Sequence, residues 1–316
     1  MTSEVSGVDV SRSCATLWRM KELVEVGLHP TLLVGSFALL AWLPSPGLAL
    51  IASLLLAYLL VTWCERRFPA HPEWRQPARE QATVLTLSAV GFVLLGVFAE
   101  LYAGWIIAPL ARVRDIAGVD AWPSGWPAPV QILSFFFVTE LIFYWIHRGL
   151  HRSAALWRVS GHGLHHSFRN MHAPAFIASH LGDLALLAVP SALAAGALGA
   201  SAEVIAGTAI LQTVNGLAAH ANVRARTPLL GLVITTSDQH RLHHSADFAQ
   251  SNTNYSCNAI LWDRLFGTFA EGSVRQTGIG PRELSLVEKL LLPFREPSDV
   301  ETSPAAGLAR TGAAAE

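Results

Sequence analysis

Three histidine boxes contain the residues of this chain that are best suited to metal chemistry. Two have the pattern His-x-x-His-His and begin 78 positions apart, and an earlier one has the pattern His-x-x-x-His. With 13 histidines in 316 residues, chance would produce two His-x-x-His-His boxes with a probability of about 0.0002. The boxes contribute eight histidines: His147, His151, His162, His165, His166, His240, His243 and His244.

The spacing within each box predicts a shared direction for its rings. On a helix, residues three and four apart lie on one face, with Cβ atoms about 5–6 Å apart. Each box can therefore offer two or three neutral imidazoles, which bind Zn, Cu, Fe or Ni, to one small volume. Eight ligands exceed the needs of one tetrahedral ion, so the count favours two metals. Unrelated histidines on solvated loops are the alternative, which fits one box far better than three.

The composition indicates a membrane protein. Charged residues make up 14% of the chain, against about 25% in soluble domains, and the mean hydropathy is +0.39. A formal net charge of -1 gives no reason to expect a nucleic-acid partner. The alternative is a large soluble protein with apolar core helices. Six apolar stretches are long enough to be candidate spans: Leu28–Leu43, Gly47–Cys64, Gln81–Phe98, Pro129–Ile146, Leu184–Leu198 and Ala202–Leu217.

Basic residues predict which membrane face carries the boxes. The loop after the second span holds Arg66, Arg67, Arg75 and Arg79, so we expect it in the cytoplasm. Counting the spans onward then brings all three boxes to the cytoplasmic face, although two arginines on the following outer loop count against this orientation. Three cysteines without a C-x-x-C pair agree with a reducing compartment.

These features predict an all-α integral membrane protein with four to six transmembrane helices and a cytosolic helical cap that carries the boxes. Residues 1–27 are expected to be partly disordered or an interfacial helix, with an ordinary surface helix as the alternative. Residues 28–128 form transmembrane helices, and residues 129–295 combine the boxes with further spans. Residues 296–316, rich in Ala, Ser, Pro, Thr and Gly, are expected to be disordered.

The order and flanks of the boxes resemble the fatty acid hydroxylase/sterol desaturase superfamily of integral-membrane metal oxygenases. The acidic and aromatic residues from Glu140 to Tyr144 lead into the first box as in that family. His220-Ala-Asn222 resembles the family's isolated His-x-Asn element. The stretch from His240 to Phe269 resembles its third box and C-terminal signature.

The chain departs from the family's pattern at two places. Ala178 and Leu181 stand where the family usually has Arg and Pro beside the residue aligned with His180. Gly216 stands where some members have a further histidine before His220. Despite these departures, the resemblance implies that His220 and His180 are metal ligands in addition to the eight box histidines.

The resemblance implies an O2-dependent reaction at a non-haem dimetal centre, usually di-iron. Hydrogen abstraction from an unactivated C–H bond would lead to hydroxylation or desaturation of a lipid or isoprenoid-like apolar substrate that enters from the membrane. Zinc is an alternative metal, because imidazole accepts both ions. The chain has no GxGxxG motif, ferredoxin cysteine run or fused haem domain, so we expect an external electron donor of the ferredoxin or cytochrome type.

Five polar residues are candidates for roles around the ligands. Glu140 lies in an apolar span, where a carboxylate needs a specific partner, and it shares a helix face with Tyr144, His147 and His151. Glu140 either accepts the distal N–H of a ligand ring or pairs with a polar group of another helix. Asp238 and Asn254 are the other candidates, and Asp263 is similar to them; each can equally be a cap or a loop hydrogen-bonder.

Three further histidines lie outside the boxes and the family elements. His172 could be a ligand or a loop residue, and the loop is favoured, while His29 and His71 lie away from the boxes and are expected on the surface.

Two other functions compete with an oxygenase. A membrane metallohydrolase would also use a two-metal centre, but the chain has no HExxH box and no carboxylate placed to bridge the metals. A metal transporter or sensor would also combine spans with histidines. Transport sites, however, lie near mid-membrane on interrupted helices, whereas these boxes follow the ends of spans.

Overall fold

The computed structural model describes residues 7–74, 76–295 and 297, and the surroundings of side chains from residue 15 onward. The tail at 296–316 that was predicted to be disordered lies outside the described residues except for Pro297, and so do residues 1–6 and Arg75. The described chain consists of helices and connecting segments with two isolated β-bridges and no β-sheet. The predicted all-α class is confirmed.

Six long helices and one shorter helix form the main body. The long ones are α1 (Gly7–Trp42), α2 (Pro46–Arg67), α3 (Ala78–Tyr102), α5 (Ala128–Arg152), α8 (Leu181–Leu198) and α9 (Ala202–Ala219); a π-helical turn joins α3 to α4 (Ala108–Ile116). The short helices that follow α5 and α9 are α6 (Ala154–Ser160), α7 (His162–His166), α10 (Ser237–His243), α11 (Phe248–Ser251), α12 (Leu261–Leu265) and α13 (Leu286–Leu291). We call α6, α7 and α10–α13 with their connecting segments the cap.

Among the described residues, five helices are long and apolar enough to cross a membrane, which confirms the prediction of four to six. They are Ala15–Trp42, Pro46–Arg67, Ala78–Ile116, Ala128–Arg152 and Leu181–Leu198. The sixth predicted span forms α9, which is not among the five. It packs against α1, α2 and α5, and its buried Thr208 and Asn215 face protein. An inner helix can therefore be less apolar than one that faces lipid.

Helix α1 begins well before the expected span. It is continuous from Gly7 through Pro30 to Trp42, so the expected boundary at residue 28 is not a break. Within this helix the buried carboxylate of Glu25 lies 3.0 Å from Nε of Arg226, and the Glu25 carbonyl oxygen accepts the Arg226 N–H at 2.7 Å. These contacts hold the middle of α1 against the segment that follows α9.

The long helices alternate in direction, and this brings every box to one end of the bundle. Helices α2, α5 and α9 end beside the cap, whereas α3 and α8 begin there. Glu65 near the end of α2 accepts the Asn222 N–H just after α9 at 2.8 Å, and Asp183 near the start of α8 contacts His162 in α7. The histidines of all three boxes therefore lie in one layer between the bundle and the cap.

Candidate metal centre

Nine histidines form two adjoining groups in this layer. The first group contains His147, His151, His162, His166 and His243, and the second contains His165, His220, His240 and His244. In each group one nitrogen per ring lies within 4.8 Å of all the others. His165 is partly buried and the other eight are buried. The eight box histidines and His220 are thus brought together.

Local chain geometry positions the first two boxes. His147 and His151 are one turn apart on the buried face of α5. Ser153 caps α6 by accepting the Leu156 N–H, and Gly161 then adopts a left-handed φ of 73° that lets α7 start in a new direction. A Cβ atom on Gly161 would lie 2.5 Å from the ring of His180. Glycine is therefore required at this bend.

The third box occupies α10 and its C-cap. The helix begins with a capping box in which Thr236 and Gln239 bond each other's backbone N–H groups, a strong start signal. His240 and His243 lie in the helix and His244 follows as its C-cap, all buried. The short helix thus presents three rings to the centre.

Each His-x-x-His-His box contributes to both groups. In α7 the first and last histidines, His162 and His166, belong to the first group, whereas His165 belongs to the second. In the third box the assignment is reversed, because His240 and His244 belong to the second group and His243 to the first. The rings of His166 and His244 stack at 4.2 Å with 16° between their planes. The two boxes therefore interlock.

The nitrogen spacings fit two metal ions. Two imidazole nitrogens at about 2.0–2.1 Å from one ion lie about 2.8–3.4 Å apart at coordination angles between about 90° and 109°. Nε2 of His147 and His162 are 2.9 Å apart, those of His240 and His244 are 3.1 Å apart, and that of His220 is 3.1 Å from His240 and 3.3 Å from His165.

Unpartnered ring nitrogens also indicate that the two groups can hold metal ions. Nε2 of His166, Nε2 of His243 and both nitrogens of His151 are buried without a hydrogen-bond partner in the part of the chain that the structure describes. Buried polar atoms in proteins nearly always have partners. The donor set therefore fits a pair of cations.

The electrostatic environment keeps the rings neutral. Burial, followed by neighbouring rings, lowers the pKa of His165, His166, His240 and His244 well below the ordinary imidazole value. Burial also lowers the pKa of His220 to about 4 and that of His243 to about 3. Neutral imidazole is the metal-binding form, so these ligands are ready at neutral pH.

Distal hydrogen bonds orient several rings. Nδ1 of His162 lies 2.9 Å from a carboxylate oxygen of Asp183. Nδ1 of His220 lies 2.8 Å from the Gly216 carbonyl oxygen, and that of His243 lies 2.9 Å from the Thr253 carbonyl oxygen. Such partners fix the tautomer and turn Nε2 toward a metal. Asp183 is not among the residues predicted from the sequence, where its only signal is a lone carboxylate in the first turn of an apolar helix.

Glu140 contacts none of the clustered histidines. Its Oε1 accepts hydrogen bonds from Nε2 of Gln212 at 2.8 Å and Nδ2 of Asn258 at 3.0 Å, and its Oε2 accepts the Asn258 N–H at 3.2 Å. The structure therefore supports pairing with polar groups of other segments rather than orientation of a ligand ring.

The other predicted polar residues hold the loops around the centre. The Tyr144 hydroxyl lies 3.0 Å from that of Thr268 and accepts a bond from Arg148. Asp238 accepts the Ala225 N–H and pairs with Arg241. Through these bonds, Tyr144 and Asp238 hold together the segments around the histidine groups.

Asn254 and Asp263 support the segment behind His147. Asn254 adopts a left-handed φ of 51° and bonds the Ala270 backbone through both its amide oxygen and its amide nitrogen. Asp263 accepts the N–H groups of Tyr255 and Ser256. The Tyr255 carbonyl oxygen in turn contacts Nδ1 of His147.

Four histidines lie outside both groups. His180 is the N-cap of α8, its ring beside Gly161, and the structure does not bring it to the clustered rings. His172 precedes a 3₁₀ turn, as expected of a loop residue, and His71 is half-buried and stacked on Trp74. The surface expectation for His29 is wrong: it is 2% exposed and 3.2 Å from Asn215, because α1 packs against α9.

Similarity to known proteins agrees with this geometry. Residues 132–268, which include all nine clustered histidines, match the fatty acid hydroxylase family. The chain belongs to the fatty acid hydroxylase/sterol desaturase superfamily. The matched region begins in α5 and ends after α12, so it includes α9 and most of the cap. No solved structure matches the chain.

Three relatives illustrate the range of the superfamily. The chain is 34% identical to an ornithine lipid hydroxylase of Rhizobium tropici over 66% of its own length and 63% of the relative. It is 28% identical to a lathosterol oxidase of Mus musculus over 73% of this chain and 77% of that protein. It is 29% identical to an alkylglycerol monooxygenase of Danio rerio over 55% of this chain and 38% of that protein. The match to the first relative thus spans less than two thirds of that protein.

Proposed function

We propose that this protein is a membrane-bound, O2-dependent oxidoreductase that hydroxylates or desaturates a lipid-like or isoprenoid-like substrate with two metal ions, most simply iron. The observation that carries the proposal is the pair of interlocked all-histidine groups at the ends of apolar helices. Bound there, redox-active metals would supply O2 activation and hydrogen abstraction from an unactivated C–H bond.

The protein's own residues would hold the metals, orient the ligand rings and exclude water. The first group would hold one ion and the second group the other. The ring of Trp157, 2% exposed, packs within about 5.0–5.2 Å of His151, His162 and His166. Leu164 and Tyr255 are fully buried nearby. An apolar wall of this kind keeps bulk water from the reacting bond.

The location of the centre supports a membrane substrate. The named activities of the relatives concern an ornithine lipid, lathosterol and alkylglycerols, which suggests a lipid for this chain too. The arginines near the end of α2, Arg66 and Arg67, support an orientation in which the cap faces the cytoplasm. A separate ferredoxin-type or cytochrome-type protein would deliver electrons there.

Isotope labelling in cells that express the protein tests this function. Growth under ¹⁸O2 should give a lipid with one labelled oxygen, or a desaturated lipid that is absent from control cells. Label that arrives from H2¹⁸O instead would indicate hydrolysis and overturn the proposal. Activity of the purified protein with NAD(P)H alone would contradict the external electron donor.

A ligand variant connects the reaction to the metals. His165→Ala should lower both the bound metal and the product, whereas His71→Ala, which removes a histidine outside both groups, should retain the metals. Full metal content and an unchanged lipid profile in His165→Ala would remove His165 from the ligand set.

A further inference from the structure

His220 is the member of the second group that does not belong to a histidine box. It is the C-cap of α9, and Gly216, one turn earlier, offers no second ring from the same helix. Its Nε2 lies 3.1 Å from that of His240 and 3.3 Å from that of His165. Four of the described histidines form this group and five form the first. Each ligand of the second group therefore contributes a larger share of the metal affinity.

The end of α2 and the loop after it hold one side of the segment that follows α9. The Asn222 N–H donates to Oε1 of Glu65 at 2.8 Å, and the Asn222 carbonyl oxygen accepts the Ala70 N–H at 2.9 Å. The same Glu65 oxygen accepts the Ala173 N–H at 2.9 Å. The Asn222 side chain bonds the backbone N–H and the carbonyl oxygen of His71, both at 2.9 Å. A candidate membrane helix is thus bonded directly to the backbone beside a ligand.

Arg241 holds the other side of this segment. Its Nη2 donates to the carbonyl oxygens of Ala221 at 2.9 Å and Val223 at 2.8 Å. The segment forms one of the two isolated β-bridges, and in such extended backbone the N–H and C=O groups of neighbouring residues point to opposite sides. The carbonyl groups of Ala221 and Val223 therefore face Arg241, whereas the backbone groups of Asn222 face Glu65.

Both side chains occupy positions where an ionisable group is costly. Glu65 lies in the last turn of an apolar helix that is a candidate span. Arg241 lies in the third box and is 4% exposed. An ionisable group in such a place needs a specific set of hydrogen-bond partners. Each of the two finds partners in the backbone that directly follows His220, which indicates that the path of this segment matters to the centre.

We propose that Glu65 and Arg241 are positioning residues for the second metal. Together they hold residues 221–223 from opposite sides, and this keeps the ring of His220 beside the other rings of the second group. We call this pair of residues the clamp. The inference rests on the proposed function, because it requires a metal in the second group. The first group takes no ligand from α9, so loss of the clamp should release the second metal and leave the first in place.

Substitutions at both ends of the clamp provide the test. Glu65→Leu leaves the N–H groups of Asn222 and Ala173 without their acceptor, whereas Glu65→Gln keeps an amide oxygen that can accept both. Arg241→Leu removes the donors on the opposite side. Glu140→Leu is the matched control: this carboxylate also lies in an apolar helix and accepts three hydrogen bonds, but it contacts none of the clustered histidines.

Metal ions per chain and the melting temperature are measured on the same purified preparations. We expect about two ions in wild type, Glu65→Gln and Glu140→Leu, and about one in Glu65→Leu and Arg241→Leu. Arg241→Lys is a milder variant, because it offers one nitrogen where arginine offers a fork of two to Asp238 and the carbonyl groups. It should bind the second ion about 10–100-fold more weakly than wild type, as measured by titration with a chelator.

Double variants identify which ion is lost. His240→Ala already removes a ligand of the second group, so the addition of Glu65→Leu should cause no further loss of metal. His151→Ala removes a ligand of the first group, so the same addition should leave almost no bound metal.

Four results would overturn the inference while the proposed function stands. They are full metal content in both leucine variants of the clamp, simultaneous loss of both ions from them, equal metal loss in Glu140→Leu, and equal metal loss in Glu65→Gln and Glu65→Leu. If the leucine variants of the clamp do not fold, Arg241→Lys decides, and an unchanged affinity for the second ion would overturn the inference. Wild-type protein that binds no metal would overturn the proposed function as well.

Discussion

The Asp183 carboxylate lies 2.9 Å from Nδ1 of His162, and this pair joins α8 to α7. Both side chains are largely shielded from solvent, with 13% and 4% of their surfaces exposed. A carboxylate behind a ligand ring fixes the tautomer and increases the basicity of the opposite nitrogen. His162 is the first residue of its box and 2.9 Å from His147, so Asp183 stabilises the first group.

We expect Asp183→Leu to weaken metal binding by about 10–100-fold, the usual effect of losing such a partner. Asp183→Asn should be intermediate, because its amide oxygen can still accept the Nδ1 proton without a charge. Glu203→Gln is the control, since Glu203 occupies the first turn of α9 at the opposite end of the bundle. The effect is measured as the metal content that remains after dialysis against increasing concentrations of a chelator. Equal retention in Asp183→Leu and wild type would contradict the assigned role.

The two groups should lose their metals separately. His151→Ala removes a ligand of the first group only, and His240→Ala removes one of the second. We expect each variant to bind about one ion per chain where wild type binds two. Elemental analysis of the purified proteins measures this ratio. Two ions retained by both variants would show that these rings are not required, and loss of both ions from each would show that the groups bind as one unit.

The boxes illustrate how far sequence reasoning reaches. Helical spacing predicted a shared direction for the rings within each box, and the count of spans predicted that all three boxes reach one face of the membrane. Helical spacing could not assign His165 and His166 to different groups, because that division depends on how α7 and α10 are rotated against each other. Tertiary packing determines how α7 and α10 are rotated against each other, and the local sequence pattern does not predict this rotation.

Residues outside the boxes were harder to predict for a similar reason. Asp183 has the sequence context of an ordinary acidic first turn, and only the placement of α7 makes it a ligand partner. His29 resembled a surface residue because nothing nearby in sequence indicates that α9 covers it. Glu140 was expected to have a partner, but Asn258, which provides two of its hydrogen bonds, lies 118 positions away.

Glu140 should stabilise the fold rather than the metals. Its carboxylate accepts three hydrogen bonds from Gln212 and Asn258, and an unpaired buried group costs about 1–3 kcal/mol. In Glu140→Gln an amide N–H2 group replaces one carboxylate oxygen and faces a hydrogen-bond donor of Gln212 or Asn258. This variant should have a lower melting temperature and an unchanged metal content. The exchange Glu140→Gln with Gln212→Glu restores an acceptor opposite a donor and should recover part of the loss. Metal loss without thermal destabilisation would instead support a role in ligand orientation.

Gly161 should be the most sensitive glycine near the centre. Its φ of 73° is left-handed, and an added Cβ would lie 2.5–2.8 Å from atoms of the His180 ring. Gly118 is the matched control, because its φ of 63° is similar but nothing lies within 4 Å of a Cβ there. Gly118→Ala should cost only the conformational strain, about 1–2 kcal/mol.

Gly161→Ala adds a steric clash to the same strain, so either His180 or the start of α7 must move. Because α7 carries His162, His165 and His166, we expect this variant to lose metal as well as stability, whereas Gly118→Ala keeps its metals. Thermal unfolding and metal content measured on the same preparations separate the two effects. Gly161→Ala with full metal content and the stability of Gly118→Ala would mean that the bend at Gly161 does not position the second box.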